Sequence, residues 1–350
     1  LTDLNSAWLQ VEQNLATQQQ RPLQLAAKTH SYQAWASRLY EHAHSPSFLQ
    51  ERSYWLDLLK HPGRSIPVDM QDASDLTEAN TRLYRFSLSA EHTHSLLHEA
   101  NRCYNTSIND LLLSSLTLAL DHWAGIRALR IDLEGHGREP LFDDIDISET
   151  LGWFTSLYPV HLQRVSGDTG QQILAIKAML AAIPNKGIGF GLLQYLSQDD
   201  DLLELLSEQP ASEVVFNYLG QMDAAGDTDW TFEILETGTV SAKRARHHTL
   251  GINGFVKDKQ LHIALDYSTT QFEEATITRF GEAIQHSIEQ VIDHCTTGGD
   301  DDGGIPLREF EHLELSRLQQ QALEANYPGL VNAYPAPSMP PGLLLETTSA

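Results

Sequence analysis

Positive charge is in short supply: 23 Lys and Arg stand against 47 Asp and Glu, leaving a net charge of −24 at pH 7. Phosphate polymers would be repelled over most of such a surface, which excludes nucleic acid as a partner, and an acidic small ligand needs a local basic pocket. Cysteine is scarcer still. The two present, Cys103 and Cys295, supply neither a disulfide framework nor a thiolate metal site; this is the usage of a reducing, cytoplasmic compartment, and both read as buried or incidental thiols. No apolar stretch reaches membrane-spanning length, since Leu111 to Leu120 is interrupted by Ser114, Ser115 and Thr117, and no signal peptide is evident. A nucleotide-binding loop is missing as well. PNKGIGFG, Pro184 to Gly191, lacks the Lys-Ser/Thr ending and spacing of a phosphate cradle, so its glycines read as places of close backbone approach. Histidine is abundant, but His92, His94 and His98 lie on one predicted helix without a further ligand at a suitable spacing, so no metal site is expected.

With 350 residues and 41 % hydrophobic content, the chain can bury a sizeable core, as two domains or as one large lobe with a tail. Helical spacing of aromatic and aliphatic residues predicts helices over Ser31 to His42 and Ser47 to Leu59. Alternation predicts a strand from Leu83 to Leu88, followed by Ser89 as cap of a helix over Glu91 to Cys103. The most apolar helix is expected over Thr106 to Trp123, capped by Thr106 and ended near Gly125. Strands are expected over Arg127 to Glu134, Tyr158 to Leu162 and Glu213 to Tyr218, and a helix near Gly170 to Ala182. A hairpin of Leu250 to Lys257 with Gln260 to Tyr267 turns at Lys257-Asp258-Lys259, and a helix over Glu273 to His294 follows. Periodicity by itself says α/β. Thr296 to Gly304, TTGGDDDGG, is charged and Gly-rich and reads as a linker.

The densest chemistry lies between Ile131 and Val160, in IDLEGHGREPLFDDIDISETLGWFTSLYPV. Leu129, Ile131 and Leu133 fall on one face of the strand, and Arg130, Asp132 and Glu134 on the other. Glu134 ends the run, and Gly135 and Gly137 then allow a tight reversal, which leaves a carboxylate at a strand mouth where loops and ligands meet. Local spacing permits a second reading, in which Glu134 pairs with Arg138 in a solvated turn.

EGHGRE, LGWFTSLYPV (Leu151 to Val160), PNKGIGFG and VVFNYLGQMD (Val214 to Asp223) resemble, in this order, the motifs of epimerization domains of nonribosomal peptide synthetases, a branch of the condensation-domain superfamily. YNTSINDLLLSSL (Tyr104 to Leu116), HHTLGINGFV and KQLHIALDYS extend the resemblance, which covers roughly Leu1 to Cys295. It implies a chloramphenicol-acetyltransferase-like mixed sheet flanked by helices. It also implies inversion, from L to D at Cα, of an aminoacyl or peptidyl group held as a phosphopantetheine thioester on a carrier protein. The alternatives within and beyond the family are a peptide-bond-forming condensation domain and a non-catalytic carrier-docking module. The superfamily's His-His-x-x-x-Asp-Gly motif does not occur here: His247-His248 is followed by Thr-Leu-Gly-Ile-Asn-Gly, without an Asp where the motif demands one. The resemblance therefore implies a piece that lacks most of the amino-terminal lobe and is catalytically silent as it stands. It implies an epimerization domain over residues 1–295, a linker over 296–304, and over 305–350 the start of a following condensation domain, whose YPAPSMPPGLLLE departs from that pattern in its consecutive prolines.

For the site, the resemblance implies Glu134 as a proton-transferring group, with a channel lined by Trp153, Phe154 and Tyr218 that raises its pKa by desolvation. Asn217 is expected to contact substrate or enolate oxygen, the other reading being an Asn that satisfies backbone at a strand end. His136 is expected to orient the turn and to perturb the nearby carboxylate. Lys243, Arg244 and Arg246 form the chain's one tight basic cluster; they read either as a dock for an acidic carrier domain and its phosphopantetheine or as a solvated hairpin tip. The implied partners are that carrier domain and neighbouring synthetase domains, with no nucleic acid and no membrane. No cofactor or metal is expected on the chain itself, the pantetheine arm belonging to the partner.

Overall fold

Among the described residues, six strands carry the fold: β1 (Thr81–Ser87), β2 (Ala128–Gly135), β3 (Ser156–Gln163), β4 (Val214–Gln221), β5 (Leu250–Lys257) and β6 (Gln260–Ser268), in the sheet order β1-β6-β5-β4-β2-β3. They are seen in a computed structural model that describes residues 2–61, 63–71, 75–222, 240–297 and 326. β4 runs parallel to both β2 and β5, while β6 is antiparallel to β5 and β1. The chain divides into two compact units, one of Leu1–Leu56, Gly135–Leu157 and Pro184–Glu208, the other of Asp57–Glu134, Tyr158–Ile183 and Gln209–Ala350. The sheet belongs to the second unit except for Gly135, Ser156 and Leu157.

Register gives the sheet two unlike faces, because residues paired across strands point the same way. Tyr84, Leu265, Ile252, Phe216 and Leu133 form one row across five strands, and apart from half-buried Tyr84 all are buried. The neighbouring row, on the opposite face, reads Leu83, Asp266, Gly251, Val215 and Asp132. The helix Glu274–Thr297 lies on the apolar face, so close to β1 that a Cβ on Gly281 would come within 2.2 Å of the Tyr84 ring. Beside it runs Ile108–Ala124, whose Trp123 ring meets Phe280 at 4.5 Å between centroids.

Local chemistry explains why Ile108–Ala124 is a core helix despite its hydroxyls. Ser114, Ser115 and Thr117 each donate to the carbonyl four residues back, at 2.6, 2.8 and 2.7 Å, so three buried hydroxyls are satisfied within the helix. Its cap is Ser107, not Thr106: the Ser107 hydroxyl accepts from the Asp110 N–H while the Asp110 carboxylate accepts from the Ser107 N–H, a reciprocal pair that the Thr cannot make one residue earlier. Gly125, at φ 62°, ends it as expected. Ser89 likewise caps Ala90–Ser95, which continues through a wide turn at Leu96–Ala100 into Asn101–Cys103. The hairpin turn places Asp258 and Lys259 at φ 51° and 62°, the left-handed pair that matches strand twist.

The first unit holds the helices Thr2–Thr17, Tyr32–Ala43, Ile188–Leu196 and Asp200–Glu208 and most of Phe48–Leu59. Trp35 is its buried centre, packed at 5.5 Å from Phe142 and 6.4 Å from Phe154. The helix Glu274–Thr297 runs two residues into the expected linker; the rest of 296–304, and the expected domain start over 305–350, lie outside the described residues, Asn326 excepted. Among the described residues no single helix is long and apolar enough to cross a membrane.

Replacing the fully buried Phe280 by Ala removes the ring that joins the two long helices. Its expected cost is about 3–5 kcal/mol, read as a lowered urea midpoint with an unchanged slope.

Candidate active site

On the polar face, β2 offers Arg130, Asp132 and Glu134 in turn, and the loops at the strand ends add the rest. Glu134 is exposed at the mouth of β2, and its carboxylate Oε2 accepts a hydrogen bond of 2.6 Å from Asn217 Nδ2 on the adjacent β4. Protein shielding on one side raises the Glu134 pKa above the ordinary carboxylate value; the charge of His248 and the Asn217 hydrogen bond oppose that rise without cancelling it. The reading of Asn217 as a strand-end residue that satisfies backbone is not what the side chain does. It orients the acid.

One strand further, His248 at the entry to β5 places Nε2 2.8 Å from Asp132 Oδ2, with each side chain about 17 % exposed. The superfamily motif requires an Asp close by in the chain, and His247-His248 has none there. The Asp that His248 uses lies 116 residues away. A chemically capable residue just ahead of a predicted strand is the available signal. Among the described residues, no three His, Cys, Asp or Glu side chains gather as a metal site.

Arg246 leaves the expected docking cluster. Its guanidinium, 6 % exposed, donates to Asp266 Oδ1 at 2.8 Å and to Thr81 Oγ1 at 2.6 Å, and lies 3.6 Å from Glu78. Asp266 also accepts from Asn253, at 3.3 Å. This knot needs Gly251 beneath it, where a Cβ would come within 1.9 Å of the Asp266 carboxylate. Lys243 and Arg244 remain exposed. They ride on a segment bound to its neighbour by backbone bonds from Glu78 N to Arg244 O and from Ala79 N to Ala242 O, both 2.9 Å, rather than on a hairpin tip.

Three other expected site residues are placed differently. Tyr218 follows Asn217 on β4 and so faces the opposite, apolar side, where Gly254 leaves room for its ring, and burial raises its hydroxyl pKa. Phe154 belongs to the core of the first unit, with the Tyr32 ring at 5.0 Å and the Arg138 guanidinium 4.1 Å above it. That guanidinium also donates to the carbonyls of Ile147 and Thr150, at 2.6 and 2.8 Å. Trp153 is 81 % exposed. His136 engages both ring nitrogens within its own turn, Nδ1 accepting from the Arg138 N–H at 3.0 Å and Nε2 lying 3.1 Å from Glu139. Of the two glycines expected to make the reversal, Gly137 does so, at φ 67° and against the Phe154 carbonyl, whereas Gly135 completes β2. In PNKGIGFG, Gly189 gives way to the Glu51 carboxylate, which accepts from Asn185.

A family model described as "Condensation domain" matches residues 13–307. A linear gramicidin synthase of Brevibacillus parabrevis is 37 % identical over 91 % of the chain, and bacitracin synthase 2 of Bacillus licheniformis 38 % identical over 86 %. The chain spans 6 % and 12 % of the lengths of these two relatives. Among solved structures, the epimerization domain from the third module of tyrocidine synthetase B superposes with a TM-score of 0.74 at 33 % identity, covering 85 % of this chain and 66 % of that one.

Changing Asn217 to Ala removes the donor that stabilises the charged carboxylate. The Glu134 titration midpoint is then expected to rise further above the ordinary carboxylate value, observed by carboxyl-carbon NMR on glutamate-labelled protein.

Proposed function

The chain belongs to the condensation-domain family of nonribosomal peptide synthetases, and from that membership we propose that it serves the epimerizing branch, inverting Cα of an aminoacyl or peptidyl thioester on a carrier protein. The observation that carries the reading is Glu134: a carboxylate accessible at a strand mouth, held by an amide donor, with its proton affinity raised. The likeness to a solved epimerization domain supports the same branch.

The chemistry asks for little besides a placed base. A thioester carbonyl acidifies the neighbouring Cα hydrogen, so Glu134 takes that proton as the C–H bond breaks and its electron pair moves into an enolate. Reprotonation from the opposite face returns carbon with inverted configuration, and a proton leaves the Glu134 carboxyl to restore the base. Raised basicity helps, because a carboxylate of ordinary pKa is a weak acceptor for so poor an acid. Asn217 holds one oxygen of the carboxylate through Nδ2 and so fixes the direction of the other oxygen. By resemblance, the second His of the motif this sequence does not contain is the candidate either for the opposite-face acid or for the electrostatic partner of the enolate. The assay accordingly uses the chain joined to a segment that supplies it.

Glu134→Gln keeps size and hydrogen bonding but removes the base. Exchange of the Cα hydrogen of a carrier-bound aminoacyl group with heavy water is expected to fall by about 10²–10⁴-fold. Exchange that persists in this variant, or dipeptide formation with an acceptor carrier in place of exchange, counts against the proposal.

Carrier docking is assigned to Lys243 and Arg244, exposed cations on a pinned segment of an otherwise acidic chain. Reversing both charges to Glu is expected to raise KM for the loaded carrier about tenfold at low salt, with kcat unchanged and the difference fading as salt is added.

A further inference from the structure

Beyond the array of Glu134, Asn217, Asp132 and His248, the second unit contains a cavity near the start of β2 that the proposed reaction does not use. It measures about 80 Å³ and is walled by residues 63–65, by Leu129 and Arg130, and by residues 210–213, which lead into β4. Hydrogen bonds fix these walls. The Arg64 N–H donates to the Ala128 carbonyl at 3.0 Å, and Gly63 lies so close to β2 that a Cβ on it would come within 2.8 Å of the Arg130 backbone nitrogen. On the β4 side, Glu213 Oε2 accepts from the Ile66 N–H at 2.7 Å.

Arg130 is the group in this cavity whose charge is not answered. The residue is 4 % exposed. Its Nη2 donates to the carbonyl of Pro210, a wall residue, while Nη1, shielded from water as well, has no hydrogen-bond partner among the described residues. A carbonyl satisfies a donor but carries no charge. Arg246, buried to a similar degree, is answered by two carboxylates, Asp266 and Glu78. Near Arg130 the carboxylates are committed elsewhere: Asp132 to His248, and Glu213, the one acidic wall residue, to the Ile66 N–H. Burial lowers the Arg130 pKa, against the pull of Asp132. A guanidinium stays charged even so, and a buried charge without a partner is costly.

Water can satisfy Nη1 but cannot supply charge. An oxyanion does both, since its oxygens accept from the planar N–H fork while its charge answers the cation. The volume equals two or three waters at about 30 Å³ each, enough for one tetrahedral ion and too little for an organic phosphate ester. Arg64, exposed to solvent, adds a second cation to the wall, and Ser65 and Ser212 add hydroxyls. We propose that this cavity binds one free inorganic phosphate or sulfate ion, with Arg130 as its buried counter-charge. Bound there, the ion bridges the segment ahead of β4 to the start of β2. The site stands whether or not Glu134 is the base.

Inorganic phosphate is titrated into the full chain by isothermal calorimetry at constant ionic strength, with thermal unfolding followed in parallel. One saturable site per chain is expected, open to competition by sulfate, and Tm is expected to rise as phosphate exceeds its Kd. Arg130→Met keeps a buried stem without the charge and is expected to weaken phosphate binding at least about tenfold. Should that variant fold poorly, Arg64→Gln, on the exposed wall, decides the matter and is expected to weaken binding about two- to fivefold. A wild-type chain without a saturable site overturns the proposal. Phosphate binding undiminished in Arg130→Met, or in Arg64→Gln where the first variant does not fold, places the ion elsewhere on the surface and overturns it as well.

Discussion

The alternation of β2 sets the terms for the rest of the molecule. Leu129, Ile131 and Leu133 are each buried beneath helices or neighbouring strands, a gain of about 1.5–3 kcal/mol per side chain. Their partners in alternation, Arg130, Asp132 and Glu134, have no choice but the other face. A slip of one residue would exchange the two sets and turn Arg130, Asp132 and Glu134 onto the apolar face, which makes the register among the most strongly specified features of the sheet. The polar contacts then refine what burial has placed. A hydrogen bond such as Asn217 to Glu134 contributes about 0.5–1.5 kcal/mol net, or somewhat more when one partner is charged, enough to orient a carboxylate and too little to choose a fold.

Several elements of the second unit are readable in the sequence because their apolar residues recur at the period of a strand or a helix. The hairpin of β5 and β6, the strand β2 and the helix Glu274–Thr297 all announce themselves by alternation or by three-and-four spacing. The first unit is harder. Thr2–Thr17 exposes Leu4, Trp8, Leu9 and Leu15, so its apolar residues define no buried stripe. Ile188–Leu196 is apolar nearly all round and contains two glycines, which masks its period. The exchange of Thr106 for Ser107 as a cap shows that position relative to Asp110, and not residue type, decides between adjacent hydroxyls.

Site residues are readable to the extent that they lie in one segment. Glu134 follows from the strand and the turn after it. The expected placement of Tyr218 fails for a reason that alternation itself supplies, since neighbours on a strand cannot both face the same side, and Asn217 already faces Glu134. Phe154 is a natural channel residue by its aromatic character, but it is also what a small core needs beside Trp35. Arg246 looks like part of a basic patch; in the sheet it neutralises Asp266, whose partner row no local pattern discloses. His248 has no neighbouring Asp in the chain, and fold topology provides one from a distant strand.

That topology also fixes when the array can exist. β2, β4 and β5 are joined by two parallel pairings, so the Asn217 to Glu134 contact closes 83 residues of chain and the His248 to Asp132 contact closes 116. Contacts of such separation form late, after the loops that delay them have been ordered. During synthesis the acidic end of β2 emerges before either companion. The array is thereby tied to completion of the sheet, and no excised peptide around EGHGRE would contain either contact.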